Sequence, residues 1–165
     1  MELTYGRYLK VEELLQLQQP LSEGPEHDEM LFIIIHQVYE LWFKQILHEL
    51  EKLKSSFQEG ERGKALHTLK RIRSIYKVLV SQVDVLETMT PLEFLSFRER
   101  LQSASGFQSC QFRELEFTLG LKNPKHLEHY PQGSEERNRL EKKLEEPSLW
   151  EVFLQFLSSL GHDSL

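Results

Sequence analysis

Apolar residues recur at threes and fours over residues 28–57, a stretch without proline or glycine. As a helix at 1.5 Å per residue it would be about 45 Å long. One apolar stripe runs through Leu31, Val38 and Ile46, and a second line through Phe32 makes the first half apolar on most sides. Helices of this kind are usually buried on several faces, so we expect the first half to lie at the centre of the fold.

Further helical patterns follow at residues 62–89, 90–101, 107–119, 134–145 and 148–160. The apolar spacing of residues 62–89 and the short polar link before them predict a helix that packs antiparallel to the first. Residues 1–27 predict an N-terminal arm and loop, because proline and glycine interrupt them. No run of alternating apolar and polar residues predicts a strand. We therefore expect one all-α domain over residues 1–165, a bundle of about five to six helices.

Composition narrows the range of partners. There are 26 acidic and 20 basic residues, a net charge of −6, and the two signs are mixed along the chain. This balance argues against nucleic acid and anionic membranes as partners. The single cysteine, Cys110, excludes an internal disulfide framework and suits a reducing cytoplasm. The N-terminus has no apolar signal core and no apolar run approaches about 18 residues, so we expect a soluble cytoplasmic protein.

Two residues in the helical segments suggest chemistry. His36 has Phe32 one turn before it and Glu40 one turn after it on the same face. It is either a core histidine bonded to a neighbour such as Glu40, or a histidine that lines a dry pocket beside an aromatic wall. Arg98 follows aromatic positions in residues 90–101. It needs an anion if it is buried; otherwise its stem packs on the surface with the guanidinium in water.

Histidine spacing gives no sign of a metal site held by this chain. None of the seven histidines follows a glutamate by three residues, as the ligand pairs of di-iron bundles do. The HExxH pattern is also absent. His126 and His129 lie three residues apart, but in a loop-like polar stretch that favours the surface. We predict no metal ligand among the residues of this chain.

Six segments resemble, in order and approximate spacing, segments of bacterial tryptophan 2,3-dioxygenases: YGRYLKVEELLQLQQPLSE, HDEMLFIIIHQVYELWFKQILHEL, VLETMTPLEFLSFRERL, SGFQSCQFRELEF, GLKNP and EEPSLWEVFLQFLSSLGH. The second and fourth are long and specific. The resemblance implies an oxidoreductase of tryptophan catabolism, on the kynurenine pathway. Such an enzyme uses heme b iron and O2 to cleave the indole C2–C3 bond of L-tryptophan, giving N-formylkynurenine. It also implies a homotetramer.

The resemblance gives the candidate site residues their roles, position by position. His36 matches the distal histidine that hydrogen-bonds the indole N–H, and Phe32 matches the aromatic residue packed on the substrate. Arg98 matches the arginine that holds the substrate carboxylate, which would supply the anion that a buried arginine needs. Ser105 and Gly106 match the loop near the heme and the substrate ammonium.

Four more positions extend that comparison. Tyr5 and Tyr8 match N-terminal residues that, in the family, reach into the pocket of a neighbouring subunit. Phe94, expected near the substrate, and Phe112, expected near the heme, stand where the bacterial enzymes carry tyrosines. Hydroxyl contacts near the pocket would therefore be lost. These two positions leave open a related heme-dependent oxygenase acting on another indole or on a phenol.

Length is the larger departure from the family pattern. Family members continue for about another hundred residues, roughly one small domain, and carry the proximal heme histidine there. None of the seven histidines of this chain matches that ligand. We expect the proximal ligand outside this chain, and the chain alone to be incomplete and inactive. The alternative from another class is a shortened, heme-free helical module that binds an aromatic amino acid or self-associates.

Overall fold

The computed structural model describes residues 3–24, 26–102 and 104–161, and within them the chain is all-α, as predicted. The eight α-helices of these ranges are α1 (Tyr5–Leu9), α2 (Val11–Leu14), α3 (Asp28–Gln58), α4 (Arg62–Leu86), α5 (Pro91–Arg98), α6 (Cys110–Leu119), α7 (Glu135–Glu145) and α8 (Leu149–Ser159). Short 3₁₀ helices span Glu99–Leu101, Gly106–Gln108 and Pro124–His129. Among these helices, none has both the length and the hydropathy that a membrane span requires.

Helices α3 and α4 form the predicted antiparallel pair. The Tyr39 hydroxyl donates a hydrogen bond to the Leu79 carbonyl oxygen at 2.7 Å, and Arg71 pairs with Glu49 at 2.9 Å. Residue numbers rise along α3 while those of the partners fall along α4, so the two helices run in opposite directions. Gly60 makes the tight connection between them with a φ of 72°, a left-handed conformation that glycine adopts without steric cost.

The main core lies along the second half of α3. Ile46, Leu50 and Leu53 are fully buried there, against residues of α4, α6 and α8. In the first half, Ile34 is 42% exposed and Leu41 is 53% exposed. The expectation that the first half occupies the centre of the fold is therefore wrong. Apolar periodicity identifies the faces of a helix that favour burial. The described helices, however, pack mainly against the second half of α3 and leave much of the first half uncovered.

A smaller cluster joins α6 to α7. Its buried residues are Phe117 of α6, Leu140 of α7 and Tyr130, which directly follows the Pro124–His129 3₁₀ helix. At the rim of this cluster Arg139 donates two hydrogen bonds to the carboxylate of Glu114, a bidentate pair. These contacts fix the orientation of α6, whose first turn faces the candidate site described below.

The segment predicted as an N-terminal arm contains α1 and α2, and no residue of either helix is buried. It is attached to α3 through polar contacts near its end. The carboxylate of Glu29, only 1% exposed, accepts hydrogen bonds from the backbone N–H groups of Leu21 and Ser22 at 2.7 and 2.9 Å. Gln37 donates to the carbonyl oxygen of Leu17 at 3.0 Å. The base of the segment is therefore held by α3 while its two helices face solvent.

Acidification should loosen this attachment through Glu29. Burial disfavours the carboxylate, but the neighbouring Ser22 hydroxyl, the two backbone N–H donors and the charge of Arg100 outweigh burial and lower the pKa of Glu29 below its usual 4.5. Because the pKa is lower in the folded than in the unfolded state, the attachment is stabilised above about pH 4.5 and lost as pH falls through the folded-state value. In a pH titration followed by NMR, the amide resonances of Leu21 and Ser22 should move together with a midpoint below 4.5. A midpoint above 4.5, or the same titration in Glu29→Gln, would contradict this assignment.

Candidate functional site

Two cavities of about 320 Å³ each meet at His36. They share five lining residues from α3 and from the loop before α6: His36, Glu40, Ser105, Gly106 and Ser109. We call the first the aromatic cavity; its other lining residues are Tyr39, Phe43, Phe107 and Phe112. We call the second the inner cavity; its other lining residues are Phe32, Leu101, Ala104 and Gln108. The fold thus brings His36, Phe32, Ser105, Gly106 and Phe112 together around one connected space.

The local helix geometry determines which nitrogen of His36 carries the proton. Nδ1 lies 2.7 Å from the carbonyl oxygen of Phe32, one turn earlier in α3, and not in a bond to Glu40, which was one of the alternatives that the sequence left open. A carbonyl oxygen only accepts, so Nδ1 must donate, and Nε2 of the neutral ring is then a hydrogen-bond acceptor. Within the described residues Nε2 makes no hydrogen bond. With a neutral ring, His36 therefore presents an acceptor at the junction of the two cavities.

An aromatic stack supports Phe32 and His36 from behind. The ring centroids of Phe32 and His36 lie 4.1 Å apart, and Phe32 also packs on Phe94 and Phe97 of α5 at 5.8 and 5.6 Å. Phe97 is fully buried and meets Phe94 edge-on. Phe94 lies in this stack and lines neither cavity. An apolar ring suits that environment, and the contact with the substrate that was predicted for Phe94 stays a prediction.

The loop that faces His36 is shaped by a small capping box. The Ser105 hydroxyl accepts a hydrogen bond from the Phe107 N–H, and the Gln108 side chain accepts one from the Ser105 N–H. The Tyr130 hydroxyl donates to the Gln108 carbonyl oxygen at 3.1 Å, which ties the loop to the α6–α7 cluster. A Cβ built on Gly106 would meet no atom within 4 Å. Gly106 therefore leaves an open surface against which a flat group can lie.

Helix α6 contacts α3 through Gln111, which the sequence did not single out, and through Phe112, which it did. The Gln111 amide donates both to the Glu40 carbonyl oxygen at 2.9 Å and to the Glu40 carboxylate at 2.7 Å. One residue further on, Phe112 packs on Phe43 with centroids 5.7 Å apart. The sequence feature that could have identified Gln111 as a contact residue is its position four residues before the buried Leu115, on the face of α6 that packs on α3. A polar residue on such a face needs a partner.

Besides Phe94, three predicted residues lie away from both cavities. Arg98 is half-buried at the end of α5, where its Nη1 donates to the Gln102 carbonyl oxygen at 3.1 Å. Gln102 has a φ of 50°, a strained value for a residue other than glycine, and it turns the chain towards the Ser105 loop. Tyr5 and Tyr8 are 78% and 72% exposed on α1. The roles predicted for these three residues stay predictions.

A third and larger cavity, a polar groove of about 690 Å³, adjoins the site on its other side. It lies between α3, α6 and α7, and its lining includes Lys44, Glu51, Cys110, Gln111, Glu114, Arg139 and Lys143. Glu40 belongs to the lining of this groove as well as to both cavities. In the part of the chain that the structure describes, no group of three or more histidine, cysteine or acidic side chains is arranged to hold a metal ion.

The fold and the site together define an all-α protein with a histidine-centred aromatic cavity. The sequence profile of tryptophan 2,3-dioxygenases matches residues 1–159. The tryptophan 2,3-dioxygenase of Herpetosiphon aurantiacus is 57% identical over 160 residues, which cover 97% of this chain and 61% of that protein. That of Nocardioides sp. is 54% identical over 165 residues (97% and 62%), and that of Xanthomonas oryzae pv. oryzae 48% over 160 residues (97% and 54%).

The chain belongs to the tryptophan 2,3-dioxygenase family, which confirms the resemblance drawn from its sequence segments. It spans about three fifths of the length of the first two of these relatives and a little over half of the third.

Cys110 in the wall of the polar groove should react slowly with alkylating agents. Burial and the nearby Glu114 carboxylate raise the pKa of its thiol from 9.0 to about 11. At pH 8 such a thiol holds about a hundredfold less thiolate than one with a pKa of 9. Mass spectrometry of iodoacetamide labelling should find that much slower modification in the folded chain than in urea. Glu114→Gln should speed the reaction because it removes the repelling charge; equal rates in folded and unfolded chains would contradict the shift.

Proposed function

We propose that this chain forms part of a heme-dependent dioxygenase that cleaves the indole C2–C3 bond of L-tryptophan with O2 and yields N-formylkynurenine. The observation that carries the proposal is His36, whose Nδ1 is bonded to the Phe32 carbonyl and whose Nε2 has no hydrogen-bond partner among the described residues, at the junction of two cavities with aromatic walls. Family membership supports the same reaction, since the relatives named above are tryptophan 2,3-dioxygenases.

The indole ring is the part of the substrate that fits this junction. Its N–H is a donor without acceptor capacity, and Nε2 of His36 is an acceptor without a partner among the described residues. Phe32, stacked on His36, lines the inner cavity and offers an aromatic face for the ring. At about 320 Å³ each, the cavities lie at the lower end of the range for small-molecule sites. In this arrangement His36 orients the indole and Phe32 excludes water from one of its faces.

Arg98 is the proposed partner of the substrate carboxylate. Its guanidinium uses Nη1 for Gln102 and has further N–H donors for a bidentate pair. Helix α5 packs on α3 through Phe97, so the backbone of Arg98 is anchored on the same side of the fold as Phe32. The side chain would turn from the Gln102 carbonyl towards the inner cavity when an amino acid binds. Ser105 is the proposed neighbour of the substrate ammonium.

Heme b is the proposed cofactor, and the residues of the aromatic cavity fit one of its faces. Phe107 and Phe112 offer apolar contact, and the open surface over Gly106 leaves room for a flat macrocycle. We propose that the proximal iron ligand lies outside this chain. Heme supplies the activation of O2 when it is bound. The part played by this chain is to hold the indole beside it and to keep water out of the cavity.

We further propose a homo-oligomer, a tetramer, in the cytoplasm. The strongly exposed Tyr5 and Tyr8 would reach the cavity of a neighbouring copy, and the exposed apolar residues Ile34 and Leu41 of α3 would lie against other parts of the assembly. A single partly buried cysteine suits a reducing compartment.

A related substrate is the second candidate, because Phe112 gives the aromatic cavity no hydroxyl at this position. Turnover of L-tryptophan, of other indoles and of phenols by the heme-loaded protein, together with the part that supplies the proximal ligand, separates the two. Product formation from L-tryptophan supports the first proposal, and turnover confined to another indole or to a phenol supports the second.

Loss of the Arg98 guanidinium should weaken tryptophan binding by about 10- to 150-fold, the value of a charge-assisted hydrogen-bonded pair. Calorimetric titration of Arg98→Ala with L-tryptophan measures this change. Tryptamine lacks the carboxylate, so its affinity should be the same in Arg98→Ala and in the unaltered protein. Arg73→Ala, at an exposed position of α4, is the matched control. An unchanged affinity for L-tryptophan in Arg98→Ala would refute the role.

His36→Ala should remove the discrimination between L-tryptophan and its 1-methyl derivative. The methyl group replaces the indole N–H, so the unaltered protein should bind the derivative about two- to tenfold more weakly through the loss of one neutral hydrogen bond. In His36→Ala the two affinities should converge. His67→Ala on α4 is the control and should keep the discrimination. If His36→Ala keeps it too, another residue accepts the indole N–H.

A further inference from the structure

Glu40 is the residue at which the polar groove and the two cavities meet. It is half-buried one turn after His36, and it lines all three spaces. Its backbone carbonyl and its carboxylate both accept hydrogen bonds from a single group, the side-chain amide nitrogen of Gln111. We call this pair of hydrogen bonds the Glu40–Gln111 link. It is formed between residues 71 positions apart in the sequence and joins α3 directly to α6.

The link acts on the part of α6 that shapes the site. Gln111 is the second residue of α6; it follows the N-terminal cap Ser109 by two positions and directly precedes Phe112. Ser109 lines both cavities and Phe112 lines the aromatic cavity. From Ala104 to Gln108 the loop before them is exposed, so cover by other side chains does little to hold it. A fixed start of α6 therefore determines where this loop lies opposite His36.

The chemistry of the link makes it well defined. An amide nitrogen has two N–H donors, and here both are used on Glu40, one on the carbonyl and one on the carboxylate. The carboxylate makes the second bond charge-assisted. Two bonds to two different atoms fix both the position and the rotation of the Gln111 side chain. They also place the paired groups between charged side chains of the groove and apolar rings of the aromatic cavity.

We infer that the Glu40–Gln111 link holds the loop of residues 104–109 and the start of α6 against α3, and thereby sets the width of the cavities at His36 and separates them from the polar groove. Gln111 lines the groove but neither cavity, so it is a positioning residue that acts through its neighbours. The link itself is independent of any ligand. Only the choice of an indole as the probe rests on the proposed function.

Hydrogen–deuterium exchange of the full chain tests the link without a ligand. Gln111→Ala removes both hydrogen bonds, and Gln111→Glu keeps the size but sets a carboxylate against that of Glu40. Both should raise exchange in residues 104–112 by about tenfold, as the loss of two partly buried hydrogen bonds implies. Glu40→Gln keeps an acceptor at both atoms, so exchange in residues 104–112 should stay close to that of the unaltered chain. In Glu40→Gln/Gln111→Glu the amide at 40 can donate to the carboxylate at 111, so exchange should fall below that of Gln111→Glu alone.

Gln45→Ala is the matched control, because Gln45 also donates from its amide to a glutamate, Glu49 at 2.8 Å, but within α3. It should leave exchange in residues 104–112 unchanged. Equal exchange in Gln111→Ala and Gln45→Ala would overturn the inference. The double variant and Glu40→Gln keep the test decisive if Gln111→Ala does not fold, since the predicted order of the remaining variants is then still measured.

Indole binding by calorimetry tests the effect on the cavities. Affinity should fall about tenfold in Gln111→Ala and Gln111→Glu and recover partly in the double variant. Faster exchange with unchanged indole affinity would overturn the role in setting the cavity width. If the unaltered protein binds neither indole nor L-tryptophan, the proposed function fails, while the exchange order still decides whether the link holds the loop.

Discussion

The structure depends on the burial of one end of one helix. Ile46, Leu50 and Leu53 of α3 lose all contact with water against α4, α6 and α8, and this burial is the main source of stability that the described residues offer. His36 lies on the same helix, about 20 Å from Leu50 at 1.5 Å per residue. A continuous helix transmits the position of its anchored end to its other end. The site is therefore held through a helix whose other end is anchored in the core, and its lining residues Tyr39 and Phe43 also pack against that core.

At the site itself, hydrogen bonds rather than burial determine the arrangement. The Phe32 carbonyl orients His36, the capping box of Ser105 shapes the facing loop, and Tyr130 ties that loop to α6 and α7. Each of these bonds leaves an outward surface available, since the loop is exposed and the cavities are open. A site built in this way combines defined polar groups with room for a ligand. That combination is what binding of a flat, amphipathic molecule requires.

Local interactions were predictable from the sequence, and contacts between distant residues largely were not. The helices and the proximity of Phe32 to His36 follow from spacings of three or four residues. The approach of Ser105 to His36 spans 69 positions and came only from the family resemblance. The Gln111 contact with Glu40 had no local signal that named its partner. The expectation of a buried first half of α3 was wrong because a sequence pattern does not say which segment supplies the cover.

Nδ1 of His36 donates its hydrogen bond to a main-chain atom, the carbonyl oxygen of Phe32. The shape of the pocket at position 32 and the tautomer of His36 can therefore change independently, although such properties usually change together. Any residue at position 32 that keeps the helix retains the carbonyl, and with it the tautomer of His36. Substitutions at position 32 could therefore enlarge or reshape the pocket while Nε2 of the histidine remained a hydrogen-bond acceptor. Such a pocket can change the size of what it accepts without changing the kind of polar group that it recognises.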